Sequence, residues 1–184
     1  MTVMAKPDES TDPIFLPGGW LRADRITPMA MEALRESTRL ARETRWDSVR
    51  SPHVFMGILS HPDAPVRLWG QRLRADLPCL LRQFQDLFCQ DPGAEDAVLS
   101  LNREFLSDNV IRLLRDAMSR ALENDRNQIT PMDLLVCMLT AQRSIVAECF
   151  ERLGVTAARL TEQAVIAEFA GHMLPRGGQD GAKA

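Results

Sequence analysis

Residues 50–59 read RSPHVFMGIL, and residues 129–139 read ITPMDLLVCML. Each places a hydroxyl residue before a proline and then a short apolar run. Ser and Thr can accept hydrogen bonds from the free N–H groups that open a helix. Proline suits the first helical position, because its missing N–H would have no partner there. Both stretches read as helix starts, at Ser51-Pro52 and at Thr130-Pro131. One chain therefore carries the same signature twice, about 80 residues apart.

The surroundings of the two stretches also match. Before the first, Thr27-Pro28 opens a helix whose Ala30, Ala33, Leu34, Ser37, Leu40 and Ala41 return on one face. Before the second, Ser107 caps a helix with Val110, Ile111, Leu114, Ala117, Met118 and Ala121 turned inward. After the first, SHPDAP (60–65) ends the helix. A third helix then runs from about Val66 to Leu73, with Leu68, Trp69 and Leu73 candidates for burial, and a fourth from about Asp76 to Phe88. After the second, QRSIVAECFERLGV (142–155) holds a helix closed by Gly154, which can take a left-handed backbone. A last helix begins at Thr156 and runs to about Ala170. Thr27 answers Ser107, Leu34 answers Leu114, Ala41 answers Ala121 and Leu80 answers Leu160. Ser51-Pro52 answers Thr130-Pro131 with one residue less between.

An internal repeat of about 80 residues, four helices each, accounts for this order. The expected fold is all-α, about eight helices arranged as two pseudo-twofold-related four-helix repeats. The expected organisation is a flexible N-terminal arm (1–25), a first repeat (26–90), a linker (91–104), a second repeat (105–170) and a flexible tail (171–184). Within the arm, Ile14, Phe15, Leu16 and Trp20 are expected to dock onto the domain. The short middle helices of each half hold too little apolar surface to stand alone. Two halves packed through their first helices would leave a groove along the seam, a place for a peptide.

Composition sets limits on function. Hydrophobic residues are 45% and charged residues 26% of 184, so most of the chain has material for a core. Tyrosine is absent and aromatics are only 5%, which leaves Leu, Ala and Met to fill that core and favours helix. A net charge of -3 gives no electrostatic footprint for nucleic acid. No 18-residue apolar run spans a membrane, and MTVMAKPDES leads into no secretory h-region. The expected compartment is the cytoplasm. Cys79, Cys89, Cys137 and Cys149 show no CxxC spacing and read as buried free thiols.

At this point the chain resembles a family. ITPMAMEALRESTRLARETRWDSVRSPHVFMGIL (26–59) and FLSDNVIRLLRDAMSRALENDRNQITPMDLLVCML (105–139) are similar to the double Clp repeat, the N-terminal domain of Hsp100/Clp AAA+ unfoldases. ERLGVTAARL (151–160) resembles its usual ending, and His53 stands at the family's histidine. The resemblance covers about residues 25–168. It implies a non-catalytic domain that recognises protein clients or adaptors and passes clients to an ATPase ring. No G-x-x-x-x-G-K-[ST] occurs in this sequence, so it carries no phosphate-cradling loop. Some relatives read phosphorylated arginine through an acidic residue after the Thr of each second helix. Pro52 and Pro131 stand there in this chain and offer no carboxylate.

The residues give little support to an enzyme. His53 lies near Ser51 and Asp47, but Ser51 is accounted for as a cap. His61 precedes a proline, His172 lies near the end, and no pair of ligands shares a helix face. No cofactor and no metal are expected. The expected function is recognition of a protein or peptide: a client, an adaptor or a Clp/Hsp100 ATPase. The alternative is a structural or oligomer-forming module of a larger assembly. Contact is expected on the seam and at the starts of the second helices, through Thr27, Met29, Glu32, Pro52, His53, Met56, Pro131, Met132 and Leu135.

Overall fold

The computed structural model describes residues 12–90 and 98–173. The described residues form eight α-helices: α1 (Pro28–Glu43), α2 (Ser51–Ser60), α3 (Ala64–Arg72), α4 (Leu77–Phe88), α5 (Asp108–Glu123), α6 (Pro131–Thr140), α7 (Ile145–Arg152) and α8 (Ala157–Met173). Single 3-10 turns, Ala23–Arg25 and Arg103–Phe105, precede α1 and α5. The all-α, eight-helix expectation holds.

The repeat is more regular than the sequence suggests. α1 and α5, and likewise α2 and α6, match end to end at a shift of 80 residues. The left-handed residues follow the same shift: Arg45 (φ 66°) pairs with Asp125 (φ 57°), and Arg74 (φ 54°) with Gly154 (φ 83°). This corrects the register read at the second helices. Pro131 is equivalent to Ser51 and Thr130 to Arg50, so Ser51 is the first helical residue and not the cap. Pro52 and Pro131 are consequently not equivalent positions. α3 also starts earlier than expected, at Ala64, because Asp63 accepts a hydrogen bond from the Val66 N–H (3.0 Å) and caps it.

Four backbone hydrogen bonds fix how the repeats meet. Thr27 N–H donates to Ile129 O (3.0 Å) and Ile129 N–H to Arg25 O (2.8 Å). Shifted by 80 residues these become Ser107 N–H to Val49 O (3.0 Å) and Val49 N–H to Phe105 O (2.8 Å), and both are present. Each repeat thus gives the other what it receives, which is the mark of a twofold relation. The segment entering α1 lies beside the start of α6, and the segment entering α5 lies beside the start of α2.

The halves do not pack mainly through their first helices. α2 meets α5, α6 and α7, and α3 lies along α8. Trp69, fully buried on α3, donates its Nε1–H to the Leu160 carbonyl of α8 at 3.1 Å. Phe55, Trp69 and Phe84 of the first repeat converge on Phe150 of the second, with centroids 5.9, 6.3 and 6.1 Å away. Each such ring contributes about 1.5–3 kcal/mol by leaving water, and one apolar cluster runs through both repeats.

The arm is anchored from Asp12 onward, which corrects its reading as flexible over that stretch. Ile14 and Phe15 are buried, and Arg115 of α5 pairs with Asp12 at 3.0 Å. Leu16 and Trp20 remain exposed. Residues 1–11, 91–97 and 174–184, with most of the expected linker and tail, lie outside the described residues; the expected tail from 171 begins within α8. The cysteines also differ from expectation: Cys89 is exposed and the other three are half-buried.

Candidate functional site

At the third residue of α2, His53 is 1% exposed. Its Nδ1 accepts from the Arg50 N–H at 3.0 Å. That bond assigns the ring proton to Nε2, which donates to Thr44 Oγ1 at 3.1 Å. Thr44 in turn donates to the Leu40 carbonyl at 2.7 Å. Burial, and then the charge of Arg50, push the His53 pKa down to about 4. The imidazole is therefore neutral at pH 7, with both nitrogens engaged in holding the start of α2.

The second repeat solves the same problem with charge. Asp133 stands at the position equivalent to His53 and is fully buried. It accepts from the Thr130 N–H (2.9 Å), from Arg126 (2.5 Å) and from Arg120 (2.6 Å). Arg120 also reaches Glu168 at 2.9 Å. Burial alone would raise the Asp133 pKa, but its hydrogen bonds from Arg126, the Thr130 N–H and Arg120 outweigh burial and hold it below the usual carboxylate value. The first repeat fills these positions with Leu40, Trp46, His53 and Phe88. Trp46 meets His53 edge-on and donates its Nε1–H to the Phe88 carbonyl at 2.6 Å.

Beside Trp46 and His53 a cleft of about 420 Å³ opens between the repeats. One wall is the start of α2 with the end of α4, through Arg50, Pro52 and Phe88. The other is α5 with the α6–α7 turn, through Asn109, Arg112, Leu113, Asp116, Cys137 and residues 140–145. The equivalent seam, where α1 adjoins the start of α6, is built differently. Gly57 of α2 lies so near α1 that a Cβ there would be 2.1 Å from the Ala33 carbonyl oxygen. Cys137 and Leu113 replace Gly57 and Ala33 in the second repeat. A Cβ at 137 forbids that approach of α6 to α5, and both side chains line the cleft instead.

The structure brings only Pro52 and His53, of the residues expected to bind, to this cleft. Thr27, Met29 and Glu32 lie at the opposite seam, where Met29 and Glu32 are exposed. Met56, Met132 and Leu135 are no more than 1% exposed and belong to the core, and Pro131 is buried as the first residue of α6. Arg50, Arg112 and Arg143 were not read as site residues. Superposing the repeats at a shift of 80 would have drawn attention to Arg112, because its counterpart is Glu32.

Residues 105–182 match the family model described as Clp repeat (R) N-terminal domain. Among solved structures, the chain is similar to the N-terminal domain of the caseinolytic protease associated chaperone ClpD from Arabidopsis thaliana. Identity is 19%, over 79% of this chain and 95% of that one, with a TM-score of 0.60. The Hsp104 N-terminal domain from Candida albicans gives 16% identity over 80% of this chain and 92% of that one, with a TM-score of 0.64. The N-terminal domain of the ClpV1 ATPase from E. coli EAEC gives 14%, 79%, 86% and 0.58. The fold is that of a Clp N-terminal domain. No curated protein matches the chain. The Clp N-terminal resemblance drawn from the two repeats therefore holds, and this sequence contains no ATPase module. No helix among the described residues is long and apolar enough to cross a membrane.

Proposed function

We propose that this Clp-type domain binds a segment of another protein in the cleft between its repeats, as a recognition module without chemistry of its own. The observation that carries the reading is the asymmetry of the two seams. In the first repeat Gly57 brings α2 close against Ala33 of α1, whereas the equivalent Cys137 and Leu113 line the cleft. A half-exposed Ile145, with Leu113 and Pro52, gives the cleft apolar contact area. Asn109, Arg112 and Gln142 give it polar groups at the rim. Such a mixture suits a protein segment. The partner would be a client, an adaptor or a Clp/Hsp100 ATPase.

The non-catalytic part of the reading rests on how the candidate groups are used. His53 spends both ring nitrogens on the fold, and Asp133 is enclosed by two guanidinium groups. Among the described residues, no cluster of three His, Cys, Asp or Glu side chains is placed to hold a metal.

Photocrosslinking tests the site. A benzophenone side chain placed at Ile145, with one at Leu153 as a control away from the cleft, would be irradiated in lysate of the source cells. Discrete protein adducts at 145 and not at 153 are expected. Equal adducts at both positions, or adducts only between copies of this chain, would defeat the reading.

A further inference from the structure

We infer that the cleft selects acidic protein segments; this rests on the docking reading above and names its ligand chemistry. Arg50, Arg112 and Arg143 line the cleft, and among the described residues Asp116 is the one acid that lines it. All three arginines are exposed. Among the described residues, Arg112 and Arg143 make no ion pair. Among the described residues the only carboxylate paired with Arg50 is that of Asp47, at 4.0 Å and 88% exposed. Arg50 lies over the Trp46 ring, 4.8 Å from its centroid, which holds the guanidinium at the rim.

The fold does not demand this charge. The residue equivalent to Arg112 is Glu32, and the residue equivalent to Arg50 is Thr130. Arg143 belongs to the α6–α7 turn, residues 141–144, which is one residue longer than the α2–α3 turn, residues 61–63. Its φ of 57° places it in the left-handed region, whereas its counterpart at the shift of 80 is Asp63, an acid with φ -76° that caps α3. One backbone, used twice, thus carries Arg112 and Arg143 at the cleft where the first repeat has Glu32 and Asp63, while Asp116 and its counterpart Glu36 are both acids. Guanidinium groups pair with carboxylates through two parallel N–H donors, and do so best where water is partly excluded. Leu113, Pro52 and Ile145 beneath them would take an apolar side chain. The segment that fits carries Asp or Glu on either side of an apolar residue.

The test uses two fluorescein-labelled 12-residue peptides, one alternating Glu with Leu and one alternating Lys with Leu, titrated with the full chain and followed by anisotropy. The Glu peptide is expected to bind at least about tenfold more tightly than the Lys peptide, and to weaken as salt rises. In R112E/R143E the preference is expected to vanish or invert while the melting temperature stays unchanged, because both side chains are exposed. Equal binding of both peptides would overturn the charge selection and leave cleft docking standing. Binding of neither, or Glu-peptide binding untouched by R112E/R143E, would overturn this inference whatever the crosslinking shows. So would association of the chain with itself that R112E/R143E abolishes, since the occupant would then be a second copy.

Discussion

Gly57→Ala is the sharpest perturbation the structure offers, because two effects of opposite sign compete at one residue. Alanine is the better helix former, and in a helix interior it gains about 1 kcal/mol over glycine. Its Cβ, however, would lie 2.1 Å from the Ala33 carbonyl oxygen, 3.1 Å from the Ala33 carbonyl carbon and 3.2 Å from the Ser37 nitrogen. All three are backbone atoms of α1, so no side-chain rotation relieves the contact. Ordinary contact begins at 3.4 Å, so α1 and α2 must part by about 1.3 Å at that point. Overpacking typically costs about 1–3 kcal/mol, and the upper end applies where backbone must move. The net expectation is a loss of about 2 kcal/mol, or a melting temperature lower by about 4–8 °C for a chain of this size. Urea unfolding followed by circular dichroism at 222 nm, with calorimetry alongside, measures it. Cys137→Ala at the equivalent position, where a Cβ already exists, is expected to change stability by less than about 1 kcal/mol. A Gly57→Ala protein as stable as the parent, or more so, would show that propensity governs this site and that the close approach of α1 and α2 does not require glycine.

Three further outcomes are expected. The folded pKa of His53, about 4, lies below its unfolded value near 6.5, so the native state resists protonation. Its share of stability is complete above pH 6.5 and is lost as pH falls from 6.5 to 4, by about 3 kcal/mol; denaturation midpoints across that range should flatten in His53→Gln. Asp133→Ala leaves Arg126 without its carboxylate, takes one of two from Arg120 and orphans the Thr130 N–H. A loss of about 3–5 kcal/mol is expected by chemical denaturation. In the parent, the lowered Asp133 pKa means that this share is present above about pH 3.9 and is lost as pH falls through the folded value. Burial pushes the Cys137 thiol up to about 12, whereas Cys89 is exposed. Mass spectrometry after iodoacetamide treatment at pH 8 should find Cys89 modified well before Cys137.

The all-α class and the eight elements were legible because apolar positions at helical spacing, with Thr27 and Ser107 as caps, are local signals. The register at α2 was not. Ser51-Pro52 imitates the cap and proline of Thr130-Pro131, yet the cap site falls on Arg50, which has no acceptor oxygen on its side chain. His53 supplies only the reciprocal bond, its Nδ1 accepting from the Arg50 N–H as Asp133 accepts from the Thr130 N–H, and an imidazole acting on a backbone N–H leaves no pattern in a sequence. The packing between halves was misjudged for a related reason. The first helices were expected to pack on each other, but the small residues Ala33 and Ser37 of α1 receive α2 of the same repeat, through Gly57, and not α5. Three of the nine expected contact residues, Met56, Met132 and Leu135, lie in the core, because they are as apolar as any groove residue and only depth separates the two roles. The cleft depends on a difference between equivalent positions, Cys137 for Gly57 and Arg112 for Glu32. Such a difference carries meaning only once the two repeats are laid on each other.

The crosswise backbone bonds between Thr27 and Ile129 and between Val49 and Ser107 have a consequence for how this domain can change. Two separate copies of a single repeat, joined through the same bonds, would form a homodimer whose two junctions are identical by construction. Any substitution would then be written into both junctions at once, and a cavity opened on one side would open on the other. Holding both repeats in one chain removes that constraint. A substitution at 57 leaves 137 as it was, so one junction can serve as a rivet while the other is free to become a mouth.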